Sequence, residues 1–317
     1  MRNALVLTMV AVACALPIFF SNDYYGGILN TAATYAIVAV GLNLLSGGTG
    51  QFSLGHAGFY AMGAFSAGLL SVNAGWPFWL DVPAAGMVAA SAGLIVGIPT
   101  LRLSGPYFSI ATLGFGLLVV QVLNGADWAG GRSGVSLTSP QIAGFTFSEA
   151  QFFWVVLGVL CICTFVVHNL RHGTIGLALV AMRESEPAAL ASGINLARFK
   201  VGTFALSAMF AGIAGALFAH WSGYVSASSF GLPISILFVA LIVVGGLDSV
   251  TGSLLGAVFL TGIQEKLQDN PQLAQTLYGA VIVIALLFVP GGLVRVPALL
   301  GRLYRSSDAR TESSTHG

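Results

Sequence analysis

Charge is what this 317-residue sequence most lacks: Asp, Glu, Lys and Arg make up only 7% of it. An ordinary soluble domain carries about 25%, enough to keep its surface wet. With 56% hydrophobic residues and a mean hydropathy of +0.89, this chain must turn much of its surface toward lipid. Other scarcities exclude further classes of function. Lysine occurs only at Lys200 and Lys266 and no GxxxxGK[ST] run exists, so the chain has no P-loop with which to hold ATP. A net charge of +1 without a basic cluster leaves no footprint for nucleic acid. The three cysteines, Cys14, Cys161 and Cys163, all lie in apolar runs. A single residue separates the last two, short of the spacer of a zinc or redox pair, so their expected role is packing. There is no paired intramembrane carboxylate of the kind ion-driven carriers often use, no nucleophile–base set and no metal-ligand cluster. Neither catalytic nor metal-binding residues are expected, and no cofactor.

What the chain has in abundance is long apolar runs. A helix needs about 20 apolar residues to cross the hydrocarbon core. Runs between charged or Gly/Pro/Asn-rich breaks predict an all-α polytopic membrane protein with about ten spans, at residues 4–20, 28–45, 54–72, 82–101, 107–123, 152–170, 201–219, 233–247, 250–264 and 273–291. The third, eighth and ninth are short or glycine-interrupted, so re-entrant or broken helices would lower the number to eight or nine. No charge falls mid-run, where each would cost about 2.5–3.5 kcal/mol on insertion scales. With the N-terminus inside, Arg2, Arg102, Arg171, Arg183, Arg198, Lys200, Arg295, Arg302, Arg305 and Arg310 all lie on the cytoplasmic side, and Arg132 and Lys266 outside. That asymmetry satisfies the positive-inside rule. Trp76, Phe78 and Trp79 mark an outer boundary. The basic, then apolar, start resembles a signal peptide, but the apolar run continues to Phe20 and an uncleaved start fits the charge pattern. Residues 1–305 are expected to form one transmembrane domain, with 306–317 a disordered cytoplasmic tail.

The scarce charges gather in one place. "AMRESEPAALASGIN" (181–195) holds Arg183, Glu184 and Glu186 within four residues, inside the long loop 171–200. Its order predicts a short helix: Ser185 or Glu186 near the N-cap, Pro187 early, Ala188 and Ala189 inside, Gly193 as terminator. About two turns are too few to be stable alone in water, so the helix must dock, on its own membrane face or on a partner protein. "LNLLSGGTGQFSLGHAGFYAMGAF" (42–65) breaks a run with glycines and then brings Gln51, Ser53 and His56 to a membrane boundary. It is either a bend lining a translocation pathway or a tight turn with a satisfied histidine. Small residues at every fourth position (Ala208, Gly212 and Ala216; Gly252 and Gly256) mark close-packed helix faces, within the chain or across an oligomer.

Six stretches occur together and in order between about residues 35 and 295: "GLNLLSGGTGQFSLGHAGFYAMGAF", "LRLSGPYFSIATLGFG", "AMRESEPAALASGINLARFK", "SAMFAGIAGALFA", "VVGGLDSVTGSLLGAV" and "FVPGGL". In these the chain resembles the permease subunits of branched-chain amino acid ABC importers, in their LivM-like branch. The resemblance implies ABC importer permease architecture in a bacterial inner membrane, with both termini cytoplasmic. It also implies a second homologous permease, two cytoplasmic ATPase subunits that bind the ATP, and a periplasmic binding protein that delivers the substrate. Related permeases serve urea, amides and other amino acids. On this resemblance Arg183 to Asn195 match the segment that couples the permease to its ATPase, with Glu186, Ala188, Ala189 and Gly193 at its recognisable positions. Pro187, Asp248 and Val289 depart from the usual pattern; Asp248 stands where a turn more commonly has glycine.

Overall fold

The computed structural model describes residues 23–103, 105–137, 141–142 and 145–267, isolated positions between 273 and 283, and residues 292–295. The expected spans at 4–20 and 273–291 and the tail 306–317 lie outside the described residues, those isolated positions apart. Each of the other eight expected spans is a helix. They are α1 (Asp23–Thr49), α2 (His56–Ala74), α3 (Phe78–Thr100), α4 (Pro106–Gly125), α5 (Glu149–His172), α8 (Leu196–Ser222), α9 (Leu232–Gly245) and α10 (Val250–Lys266). Between α5 and α8 lie two shorter helices, α6 (Thr174–Glu184) and α7 (Glu186–Ala191). Among the described residues six helical stretches are long and apolar enough to cross a membrane, including the whole of α8 and a run from Ala227 through α9.

The sequence accounts for the short elements. α9 has only 14 residues, about 21 Å at 1.5 Å per residue, and a 3-10 turn at Ala227–Phe230 precedes it. α2 starts late because residues 50–55 run as irregular chain, with Gly50 at φ +73. Non-helical backbone at membrane depth has to be covered by protein, and α4 covers it. Ser109 Oγ donates to the Phe52 carbonyl at 2.6 Å, and Thr112 Oγ1 accepts from the Leu54 amide at 3.2 Å.

α1 lies at the centre, enclosed by α5, α8, α9 and α10, with Ile37 to Val40 and Leu42 fully buried. Of the membrane-length helices among the described residues α4 is the least buried, and it leaves Ile110, Leu118 and Val122 exposed. The tightest packing joins α8 to α2 and α3. Here the small residues lie within the chain: a methyl on Gly93 would meet Ala208 Cβ at 2.8 Å, and one on Gly63 would meet Gly212 Cα at 2.5 Å. Ala216 is completely buried in the same interface. Gly252 and Gly256 of α10 press on the backbone of α9 around Gly245 and Leu241.

Arg171 and Arg183 both reach Asp248, and Arg183 also reaches the last turn of α1. Lys200 meets Leu101 and Glu186, so Arg102, Arg171, Arg183, Arg198 and Lys200 share one end, the basic end. At the opposite end a two-residue antiparallel ribbon, β1 (Val135–Ser136) with β4 (Tyr224–Val225), ties the α4–α5 connection to the end of α8. A second small hairpin, β2 (Gln141–Ile142) with β3 (Phe145–Thr146), lies in the same connection.

Candidate functional site

At the basic end the charged stretch folds as a hinged pair of helices. α6 buries Gly176, Leu179 and Met182, one stripe at helical spacing, and ends at Ser185, whose ψ of 107 breaks the helix. The Ser185 hydroxyl then caps α7, accepting from the Ala188 amide at 3.4 Å, with Pro187 in the first turn where its missing N–H costs nothing. Gly193 at φ +80 closes α7: its own amide donates to the Leu190 carbonyl at 2.9 Å and the Ile194 amide to the Ala189 carbonyl at 3.0 Å. This is a Schellman turn, which needs a left-handed residue at that point. A single short helix was expected here. α6 is the addition, and its sequence hides it because Leu177 and Val180 point outward, blurring the amphipathic pattern.

Of the candidate coupling residues, some hold the segment to the bundle and others stay open. Ala189 is buried. Glu186 accepts from Lys200 Nζ at 2.6 Å, and the lysine is 8% exposed against 48% for the glutamate. Arg183 donates to the Gly47 carbonyl at 2.8 Å, in the last turn of α1, and pairs with the Asp248 carboxylate. That carboxylate holds the guanidinium still more firmly charged than a free arginine. Glu184, Pro187, Ala188 and Leu190 are exposed, Leu190 at 57%. An open cleft of about 560 Å³ runs beside α7, bordered by Leu101, Leu190, Ile194 and Lys200.

Gln51, Ser53 and His56 are all buried. His56 Nδ1 lies 2.9 Å from Ser53 Oγ and its Nε2 lies 2.7 Å from Ser207 Oγ of α8. Phe59 and Phe204 meet the ring edge-on. The histidine thereby pins the start of α2 to α8. Gln51 borders a narrow crevice with Thr100, Leu101, Phe108 and Lys200. Among the described residues no three or more of His, Cys, Asp and Glu are grouped as a metal ion would need.

The opposite end holds a pair that sequence reasoning missed. His220 Nε2 lies 2.9 Å from Asp81 Oδ2, with exposures of 3% and 0%. The pair joins the start of α3 to the end of α8, and the Phe78 ring stands edge-on to His220 at 5.0 Å. The residues are 139 apart in sequence, yet one signal was available. Asp81 follows the boundary aromatics Trp76 and Trp79, and His220 precedes Trp221, so both sit where an apolar run meets the same membrane boundary.

A bundle of apolar helices carrying a folded and partly open helix pair at its basic end fits a multi-pass transport permease. Residues 24–286 match the family model described as "Branched-chain amino acid transport system / permease component", and the chain belongs to that family. It is 33% identical to the high-affinity branched-chain amino acid transport system permease protein LivM of Salmonella typhimurium, over 92% of this chain and 75% of that protein. To LivH of Escherichia coli, from a system of the same description, it is 24% identical over 88% of this chain and 97% of the relative. To the ribose import permease protein RbsC of Haemophilus influenzae it is 26% identical over 81% of each. No solved structure matches the chain.

Proposed function

We propose that this chain is one of the two permease subunits of an ATP-driven importer, forming half of a pathway for branched-chain amino acids across a bacterial inner membrane. A periplasmic binding protein delivers the substrate at the Asp81–His220 end, and two ATPase subunits act at the basic end. Both termini lie in the cytoplasm. The substrate class follows the names of the LivM relatives; urea, amides and other amino acids are the alternatives. Gln51, Ser53 and His56 shape the inner wall of the pathway, His56 by fixing the start of α2 and Gln51 by bordering the crevice beside Lys200.

The observation that carries the proposal is the α6–α7 pair. A helix of six residues has no stability of its own in water. This one is capped at both ends and tied to the bundle through Ala189 and Glu186, and yet it presents Leu190 outward. A rigid apolar projection beside the exposed Glu184 is a docking knob for a soluble partner. The test is Leu190→Asp, at a side chain that is already 57% exposed. Expected is an inserted, folded permease whose ATP-dependent uptake and ATPase association fall at least about tenfold, the effect of charging an interface anchor. Wild-type uptake by Leu190→Asp would remove α7 from the docking surface. Glu186→Lys is a poorer probe, because it also strands Lys200 in its buried site.

A further inference from the structure

We propose that Arg183 and Asp248 form a latch that carries movement of α6–α7 to the inner ends of α1 and α5 and to the α9–α10 turn, making Arg183 a positioning residue for coupling. This inference rests on reading residues 171–200 as the coupling segment. Among the described residues two ionic attachments hold that segment, and they lead to different parts of the bundle. Glu186 grips Lys200 of α8. Arg183 grips Asp248, in the turn between α9 and α10, and at the same time the Gly47 carbonyl of α1 at 2.8 Å. Its second nitrogen, Nη2, approaches the other carboxylate oxygen at 3.5 Å. A tilt of α7 therefore pulls α8 against α1 and the turn.

Beyond the latch the load meets a stiff joint. Arg171, in the last turn of α5, donates to the Asn43 carbonyl at 2.9 Å and to the Asp248 carbonyl at 3.1 Å. The Asn43 side-chain Nδ2 donates to the Gly246 carbonyl at 3.1 Å and approaches that of Ser249 at 3.4 Å. Gly47 lies so close to the turn that a methyl group there would run into the Leu247 carbonyl and the Arg171 guanidinium. α1, α5 and the turn are thus joined backbone to backbone or through one side chain, and they can move only together. The latch itself is half open to solvent, with exposures of 37% for Arg183 and 56% for Asp248. A pair so exposed adds little net stability, so it can be broken without unfolding the bundle.

The experiment compares Arg183→Asp, Asp248→Arg, their double exchange and the milder Asp248→Asn in the full-length chain in lipid nanodiscs. It is followed by uptake and ATP hydrolysis in the complete importer. Arg171 faces one acid and one base both before and after the double exchange. Each single reversal is expected to speed hydrogen exchange about tenfold at residues 174–193, leaving α2 and α3 unchanged, with partial recovery in the double variant, which restores the ion pair and not the bond to the Gly47 carbonyl. Uptake per ATP hydrolysed should fall about tenfold in the single reversals and recover in part in the double, while the ATPases remain bound. Unchanged exchange at 174–193, an unchanged ratio of uptake to hydrolysis, or a double variant no better than the singles would each overturn the latch. So would loss of protection throughout the bundle in Asp248→Asn, which would make the pair merely structural. Uptake by the wild-type assembly that ignores ATP would overturn the importer reading instead, leaving the exchange result to decide the latch.

Discussion

Alanine substituted for Gly215 and, separately, for Gly202 adds the same methyl to the same helix with opposite expected results. Both positions lie inside α8 (Leu196–Ser222). At Gly202 the new Cβ meets nothing within 4 Å and the position is exposed. Replacing glycine by alanine in a helix interior is worth about 1 kcal/mol, so this variant gains stability. At Gly215 the same atom falls on the Tyr60 carbonyl oxygen, 2.9 Å from the carbonyl carbon and 3.0 Å from the Ala64 amide nitrogen. These are backbone atoms of α2, and no rotamer change can clear them. The two helices have to part, and a gap of about 0.5–1 Å already forfeits a quarter to a half of each dispersion contact along the seam. Overpacking of this kind costs about 1–3 kcal/mol before the helix gain is subtracted, and more where a whole helix shifts. Thermal unfolding of the purified permease in detergent, followed by size-exclusion fluorescence, reads the difference. Net of the helix gain the cost at Gly215 is up to about 2 kcal/mol, so Gly202→Ala should unfold about 2 °C higher and Gly215→Ala up to about 4 °C lower than the parent. A Gly215→Ala protein stabilised as much as Gly202→Ala would refute the close packing of α2 on α8.

The Asp81–His220 pair should behave as a buried clamp. Asp81→Ala or His220→Ala should each cost about 3–5 kcal/mol by stranding the other partner, while Asp81→Leu with His220→Leu should recover most of it; unfolding midpoints that show no recovery would contradict this. Glu186→Ala should destabilise by leaving Lys200 charged and unpaired in its buried site, and adding Lys200→Met should restore the midpoint, whereas a neutral single variant would mean the lysine reaches water. His56→Leu should cost about 1–3 kcal/mol, because the Ser53 and Ser207 hydroxyls lose their partner, and an unchanged midpoint would argue against a positioning role.

Local chemistry made part of this structure legible in the sequence. The boundaries of α7 follow from Ser185, Pro187 and Gly193, because caps and terminators act within four residues of one another. Eight helices follow from apolar runs alone, since a bilayer demands long uninterrupted hydrophobic segments. What stayed hidden depends on partners distant in the chain. The partner that holds the His56 ring, Ser207, lies 151 residues away and is brought to it only by the fold. Asp248 looked like a disturbance in a glycine turn until α6 brought Arg183 to it across 65 residues. The Asp81–His220 pair was hidden in the same way, each residue reading alone as a polar group near a helix end. α6 was lost to a different cause: its outward Leu177 and Val180 make a surface helix resemble a loop between two spans.

The most direct test of an ATP-driven permease is uptake of labelled leucine into proteoliposomes. These would hold this chain, a homologous second permease and the ATPases, with ATP inside and the binding protein outside. Expected is accumulation that stops when ATP, the binding protein or either permease is left out, and none with this chain alone. Uptake by this chain alone, driven by an ion gradient and indifferent to ATP, would contradict it.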